Sequence, residues 1–177
     1  EQVSFCELTP DQRGVYQQVI EATRKEVLEA VGAQGIAKSR MVVLTALLRL
    51  RQVCCDLRLL KLEEHPAPAR PVSELQRAEP ALGAPTTAAS GKLELFSELL
   101  EEVIDGGHRV LVFSQFVGML TLLKERLAEE GIEYCYLDGS TTDRAKVVER
   151  FQSTATIPVF LISLKAGGVG LNLTTAD

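Results

Sequence analysis

The chain has 177 residues, 46% of them hydrophobic and 24% charged, with a net charge of −5. This is the mix of a folded, water-soluble protein the size of one medium domain, or of a domain with an appendage. No run approaches about 18 apolar residues, so neither a membrane span nor a membrane partner is expected. Residues 1–90 carry eleven basic and eleven acidic side chains, and residues 91–177 carry eight and thirteen. That balance argues against nucleic-acid binding by bulk positive charge and leaves room only for local contacts. The start, Glu1-Gln2-Val3, has no basic cap or apolar stretch of a signal peptide, and without an initiator Met it reads as part of a longer protein. Cys6, Cys54, Cys55 and Cys135 form no C-x-x-C pair and only two His are present, so no zinc site is expected. The Cys54-Cys55 pair reads as core filler in a reducing, intracellular compartment.

In chain order, Thr9-Pro10-Asp11-Gln12 predicts a helix start, with an N-cap, Pro at the first position and Gln12 placed to close a capping box. Tyr16, Val19, Ile20, Thr23 and Val27 continue at helical spacing to about Ala30, and Gly32 and Gly35 are expected to break the helix. A second helix is expected from about Ser39 to Leu60, with Met41, Leu44, Leu47, Leu48 and Cys55 on a broad apolar face. The two should form an antiparallel hairpin that packs on something further, because two such faces cannot bury each other fully. Arg49 and Arg51 are read as structural ion-pairing groups, and Glu7 and Asp11 as capping charges. Between residues 63 and 89 five prolines interrupt every periodicity, which predicts a Pro/Ala-rich linker without order of its own. The expected domains are therefore a helical insertion at 1–62, the linker at 63–89 and an α/β lobe at 90–177.

Strand and helix patterns alternate through the last part. Ser90 is placed to cap a helix ending at Asp105-Gly106-Gly107. The segments 109–113, 133–137 and 158–163 read as short buried strands, separated by helices that stop at Gly131 and Phe151. This predicts an open parallel sheet with helices on both faces. Ligands of such sheets bind beyond the carboxyl ends of the strands, where Ser114-Gln115, Asp138–Thr141 and Leu164–Asn172 fall. In the last of these, Gly167, Gly168 and Gly170 let the backbone approach an anion closely, and a following helix start would add its dipole. No Gly-Lys-Ser/Thr follows, so this is not the loop that grips nucleotide phosphates.

The segments LLRLRQVCCD (47–56), SGKLELFSELLEE (90–102), RVLVFSQF (109–116), YLDGST (136–141) and ISLKAGGVGLNLTTAD (162–177) resemble, in order and spacing, the second half of the Swi/Snf-type ATPases. These are double-stranded-DNA translocases of helicase superfamily two. The resemblance covers nearly everything but the linker. One departure is Leu57, where the family often has Pro; it touches a helix end and no catalytic group. The resemblance implies a RecA-like second lobe, incomplete in this chain, that forms one wall of an ATP cleft and one grip on the DNA backbone. RVLVFSQF is similar to helicase motif four, which implies phosphate contacts from Ser114 and Gln115; alternatively Ser114 caps the next helix and Gln115 is a surface residue. In YLDGST, Ser140 and Thr141 are DNA contacts or helix caps. ISLKAGGVGLNL is similar to motif five, which implies that Ser163, Leu164 and Lys165 face the tracked strand. Gly168 and Gly170 would then approach the γ-phosphate and Asn172 the ribose; the alternatives are a solvated Lys165 and an N-cap role for Asn172.

ATP and Mg2+ would be held mainly by a first RecA-like lobe, and the arginine-finger motif would follow Asp177. Hydrolysis needs phosphate cradle, metal and transition-state arginines together, so these residues alone contain no catalytic group and are expected to be inactive. The implied partners are double-stranded DNA and the first lobe, with a nucleosome or RNA polymerase as candidate remodelling targets. The implied location is the nucleoid or cytoplasm of a bacterium, or the nucleus of a eukaryote. A strand-separating helicase and a non-enzymatic partner-binding lobe are the competing readings.

Overall fold

The computed structural model of the chain describes residues 2–62 and 90–167. The linker predicted at 63–89 lies outside those residues, as do Gly168, Gly170 and Asn172. The Cα packing separates two compact units, Glu1–Glu94 and Leu95–Asp177.

The first unit is built on α1 (Pro10–Lys38), α2 (Arg40–Cys55) and the short α3 (Leu59–Leu62), with the first turn of α4 (Gly91–Asp105). The predicted capping box is present: the Gln12 N–H donates to Thr9 Oγ1, and the Thr9 N–H to Gln12 Oε1, both at 3.2 Å. Helix α1 does not stop at Ala30. Gly32 lowers helix stability by only about 1 kcal/mol relative to Ala, and the helix runs through it to Gly35, whose φ of 76° makes the kink. Gln12 Nε2 at the start of α1 donates to the Val53 carbonyl near the end of α2 at 2.8 Å, so the hairpin is antiparallel.

Helix α2 ends at Cys55 rather than Leu60. The cause is Asp56, which adopts an extended backbone (φ −165°, ψ 139°). Its fully buried carboxylate accepts from the Arg58 N–H at 2.9 Å and from the Arg58 guanidinium at 2.9 and 2.8 Å. A side chain that ties up backbone two residues ahead competes directly with helical continuation. The apolar face also differs from expectation. Ala46, Gln52 and Val53 are the buried positions, Val53 in one cluster with Val15 of α1, while Met41, Leu44 and Leu47 are each more than half exposed.

In the second unit, β1 (Val110–Ser114), β2 (Tyr134–Leu137) and β3 (Val159–Ser163) form a parallel sheet in the order β1-β3-β2. The run Val159-Phe160-Leu161-Ile162 is apolar without alternation because it is central and buried on both sides. Helix α5 (Val117–Glu129) connects β1 to β2, moving outward past β3, and α6 (Arg144–Ser153) connects β2 back to β3. Right-handed crossovers in opposite directions require helices on opposite faces. That is observed: Lys124 of α5 lies over the Tyr136 ring, while Phe151 of α6 packs on Phe160, whose side chain points to the other face. The core on the α6 side holds Cys135, Leu137, Phe151, Ile157, Phe160 and Ile162. Gly107 and Gly131, at φ 75° and 69°, end α4 and α5 where the sequence places their stops.

Candidate functional site

The register brings the strand ends to one edge. Ser114 is paired with Ser163, and Leu137 with Ile162. The residues that follow, Gln115, Asp138–Thr141 and the short α7 (Leu164–Gly167), therefore converge beyond the carboxyl end of the sheet.

Each predicted residue has a definite setting there. The Ser114 hydroxyl accepts from the Phe116 N–H at 3.1 Å and donates to the Phe116 carbonyl at 3.0 Å. The N-cap of α5 is Phe116, without a side-chain cap, so Ser114 shapes the turn before the helix instead of capping it. Gln115 is exposed and its side chain has no hydrogen-bond partner among the described residues. Ser163, expected to face a ligand, is only 2% exposed, because it ends the central strand and its hydroxyl accepts from the Ala166 N–H at 3.3 Å. Leu164 and Lys165 are exposed, and Lys165 has no ion-pair partner among the described residues. A Cβ on Gly167 would stand 3.1 Å from the Phe113 ring and 3.3 Å from Ile162 Cγ2, so the chain enters the glycine run pressed against the sheet.

Ser140 and Thr141 do not cap α6; that role falls to Asp143, which accepts from the Lys146 N–H. Both are instead held by Asp138. Asp138 Oδ1 accepts from the Ser140 N–H at 2.9 Å, the Ser140 hydroxyl at 2.7 Å and the Thr141 hydroxyl at 3.3 Å. Its Oδ2 accepts from the Tyr136 hydroxyl at 2.8 Å, and the Asp138 N–H donates to Thr141 Oγ1 at 3.0 Å. Burial by itself would raise the Asp138 carboxyl, but the hydrogen bonds from Ser140, Tyr136 and Thr141 outweigh it and lower the pKa to about 2. Burial and the bond to Asp138 raise the Tyr136 phenol above its ordinary value. The alternation Tyr136-Leu137-Asp138 was a usable sign, because it puts the phenol and the carboxylate on the same side of the chain.

The opposite end of the sheet is tied differently. Arg109 donates to the carbonyls of Ile157 at 3.1 Å and Thr154 at 3.3 Å and to that of Phe151, whose ring lies 3.9 Å beneath the guanidinium. These carbonyls are the natural place for a cation at a helix C-terminus, so this arginine is structural.

Residues 91–177 match the helicase conserved C-terminal domain. Residues 91–177 belong to the Swi/Snf-type C-terminal lobes of helicase superfamily two. The chain is 50% identical over 90 residues to the chromatin-remodeling ATPase INO80 of Aspergillus oryzae, a match covering 50% of this chain and 6% of that protein. The chain is similar to the C-terminal domain of the Sulfolobus solfataricus SWI2/SNF2 ATPase, with a TM-score of 0.70 and 27% identity, over 98% of this chain and 67% of that one. It shares the fold of the Sulfolobus solfataricus ATPase core in complex with double-stranded DNA, with a TM-score of 0.69 and 24% identity, over 97% of this chain and 32% of that one.

Proposed function

We propose that this chain forms one wall of the ATP cleft and one backbone grip of an ATP-driven double-stranded-DNA translocase that remodels protein–DNA complexes. The observation that carries the reading is the convergence of three loops at the carboxyl edge, with Gln115 and Lys165 exposed and unpartnered among the described residues. An amide and an ammonium suit phosphate contacts that ignore base sequence. The edge needs no bulk positive charge for this, which fits the acidic balance of residues 91–177.

Lys165 and Gln115 lead the grip, with Leu164 beside them, while Ser114 and Ser163 hold the turns that present them. Gly168, Gly170 and Asn172 form the ATP side by resemblance to motif five. Gly167, the described start of that run, lies so close to Phe113 and Ile162 that a Cβ there would need them to shift, which fits a backbone held for close approach. ATP and Mg2+ are bound mainly by the first lobe; among the described residues no group of His, Cys, Asp or Glu could hold a metal. When bound, they supply the phosphoryl-transfer chemistry and its charge neutralisation. Residues 1–62 act as a brace or a DNA-facing protrusion, and the 177 residues alone are inactive. The partners are duplex DNA, the first lobe and a nucleosome or another DNA-bound protein such as RNA polymerase, inside the cell.

The test is ATP hydrolysis by the full-length protein without nucleic acid, with duplex DNA and with RNA, beside Gly170→Asp and Lys165→Ala. Duplex should stimulate turnover and Gly170→Asp should abolish the stimulation. Lys165→Ala should reduce the dependence of log affinity on log salt by about one counterion. Indifference to DNA would demote the lobe to a partner-binding module, and stimulation by RNA alone would assign it to a different kind of helicase.

A further inference from the structure

A serine or threonine contacts phosphate by donating its single O–H. At this edge three of those donors are already committed. Ser114 donates to the Phe116 carbonyl, and Ser140 and Thr141 both donate to Asp138. The Ser140 N–H is committed to the same carboxylate. Asp138 is thus a negative charge at an edge read as facing phosphates, yet four donors point at it from its own loop and strand. One of these donors is itself anchored from a neighbouring element. The Tyr136 hydroxyl donates to Oδ2 from the adjoining strand, and the Tyr136 ring is held from α5 by Lys124, whose Nζ lies 4.3 Å from the ring centroid. Helix α5 begins just after Gln115, so one chain of contacts links the loop after β1 to the loop after β2.

We propose that Tyr136 and Asp138 are positioning residues of the DNA grip, which hold Ser140 and Thr141 turned into their own loop instead of toward a phosphate. This rests on the duplex-gripping function proposed above. Asp138 gives the loop one shape, and contact with the backbone is left to Gln115, Lys165 and main-chain groups. Direct contact by Ser140 would require Asp138 to release it, leaving a charged carboxylate short of a donor beside a phosphate of like charge.

The consequence runs against simple electrostatics. Asp138→Asn removes a negative charge close to DNA, so Coulomb's law alone predicts tighter binding. Positioning predicts the reverse, because the asparagine loses the charge-assisted bonds that hold the loop. In the full-length protein, Asp138→Asn should raise the duplex concentration for half-maximal ATPase stimulation about five- to ten-fold, the loss of roughly one ordinary hydrogen bond. The change should fall on the half-stimulating duplex concentration and not on KM for ATP, whereas a merely structural defect would lower maximal duplex-stimulated turnover and leave the half-stimulating duplex concentration alone. Amide exchange at Ser140 should accelerate in the same variant. Tyr136→Phe, which keeps every charge and nearly all the volume, should move the half-stimulating concentration in the same direction by about two-fold, and it stands as the test if Asp138→Asn fails to fold. Ser140→Ala should have a smaller effect than Asp138→Asn. A Ser140→Ala effect larger than that of Asp138→Asn, or tighter duplex binding by Asp138→Asn, would overturn the proposal while leaving the translocase reading intact. Absence of duplex stimulation in the unsubstituted protein would overturn both.

Discussion

Two polar clusters, one in each unit, are built from similar residues and put to different ends. In the first, Gln12 is 1% exposed; its Oε1 accepts from the N–H groups of Thr9 and Gly91, and its Nε2 donates to the Val53 carbonyl. Ser90 beside it, 2% exposed, accepts from the Leu93 N–H and donates to the Cys55 carbonyl. In the second, Asp138 gathers Ser140, Thr141 and Tyr136 at an edge open to water. The buried cluster ties helix ends together, and any group left unpaired there bears the full cost of desolvation. At the open edge water can replace a lost partner, so disruption should change shape and coupling more than stability.

The largest test of that contrast is Gly91→Ala. A Cβ at Gly91 would lie 2.1 Å from the Glu7 carbonyl oxygen, a clash with backbone that no rotamer relieves. Thermal denaturation should show a loss of about 3 kcal/mol or more. Next comes Gln12→Ala, which orphans the Gly91 N–H and the Val53 carbonyl in a site closed to solvent. A loss of about 2–3 kcal/mol is expected in urea denaturation, and a loss below that of Ser140→Ala would break the comparison.

The smallest effect is the acid response of Asp138. Its pKa of about 2 lies below the ordinary value of about 3.9 for an unfolded aspartate. The unfolded chain therefore binds the proton first as pH falls. The Asp138 contribution is complete above about pH 4 and is lost as pH falls toward 2. Carboxyl chemical shifts should titrate near 2, and Asp138→Asn should flatten this part of the stability profile. A midpoint near 4 would mean that the four donors do not hold the carboxylate in solution.

Much of the fold was legible in the residues because its signals are local. The capping box at Thr9–Gln12, the glycine stops at Gly107 and Gly131 and the unbroken apolar run of β3 each rest on neighbours within a few positions. The helical unit was less legible at its ends. Asp56 stops α2 through its bonds to Arg58, and nothing in the periodicity of residues 39–60 distinguishes that aspartate from a solvated one. The apolar positions Met41, Leu44 and Leu47 have the spacing of a covered face, but the fold buries Ala46, Gln52 and Val53 instead. Spacing defines faces, and only the approach of a second helix chooses among them.

At the candidate site the division falls along the same physical line. By itself the sequence determined which residue types lie beyond the strand ends, since a short parallel strand followed by a turn puts its next residues at the carboxyl edge. It also carried the five ordered segments that resemble the Swi/Snf-type lobe. Only the tertiary structure decided that Ser163 is buried at the end of the central strand, that Ser114 turns back on Phe116, and that Asp138 holds Ser140 and Thr141. A hydroxyl has one proton to donate, and where that proton goes depends on which acceptor the folded chain brings within 3 Å or so. Sequence spacing names the candidate donors; the fold spends them.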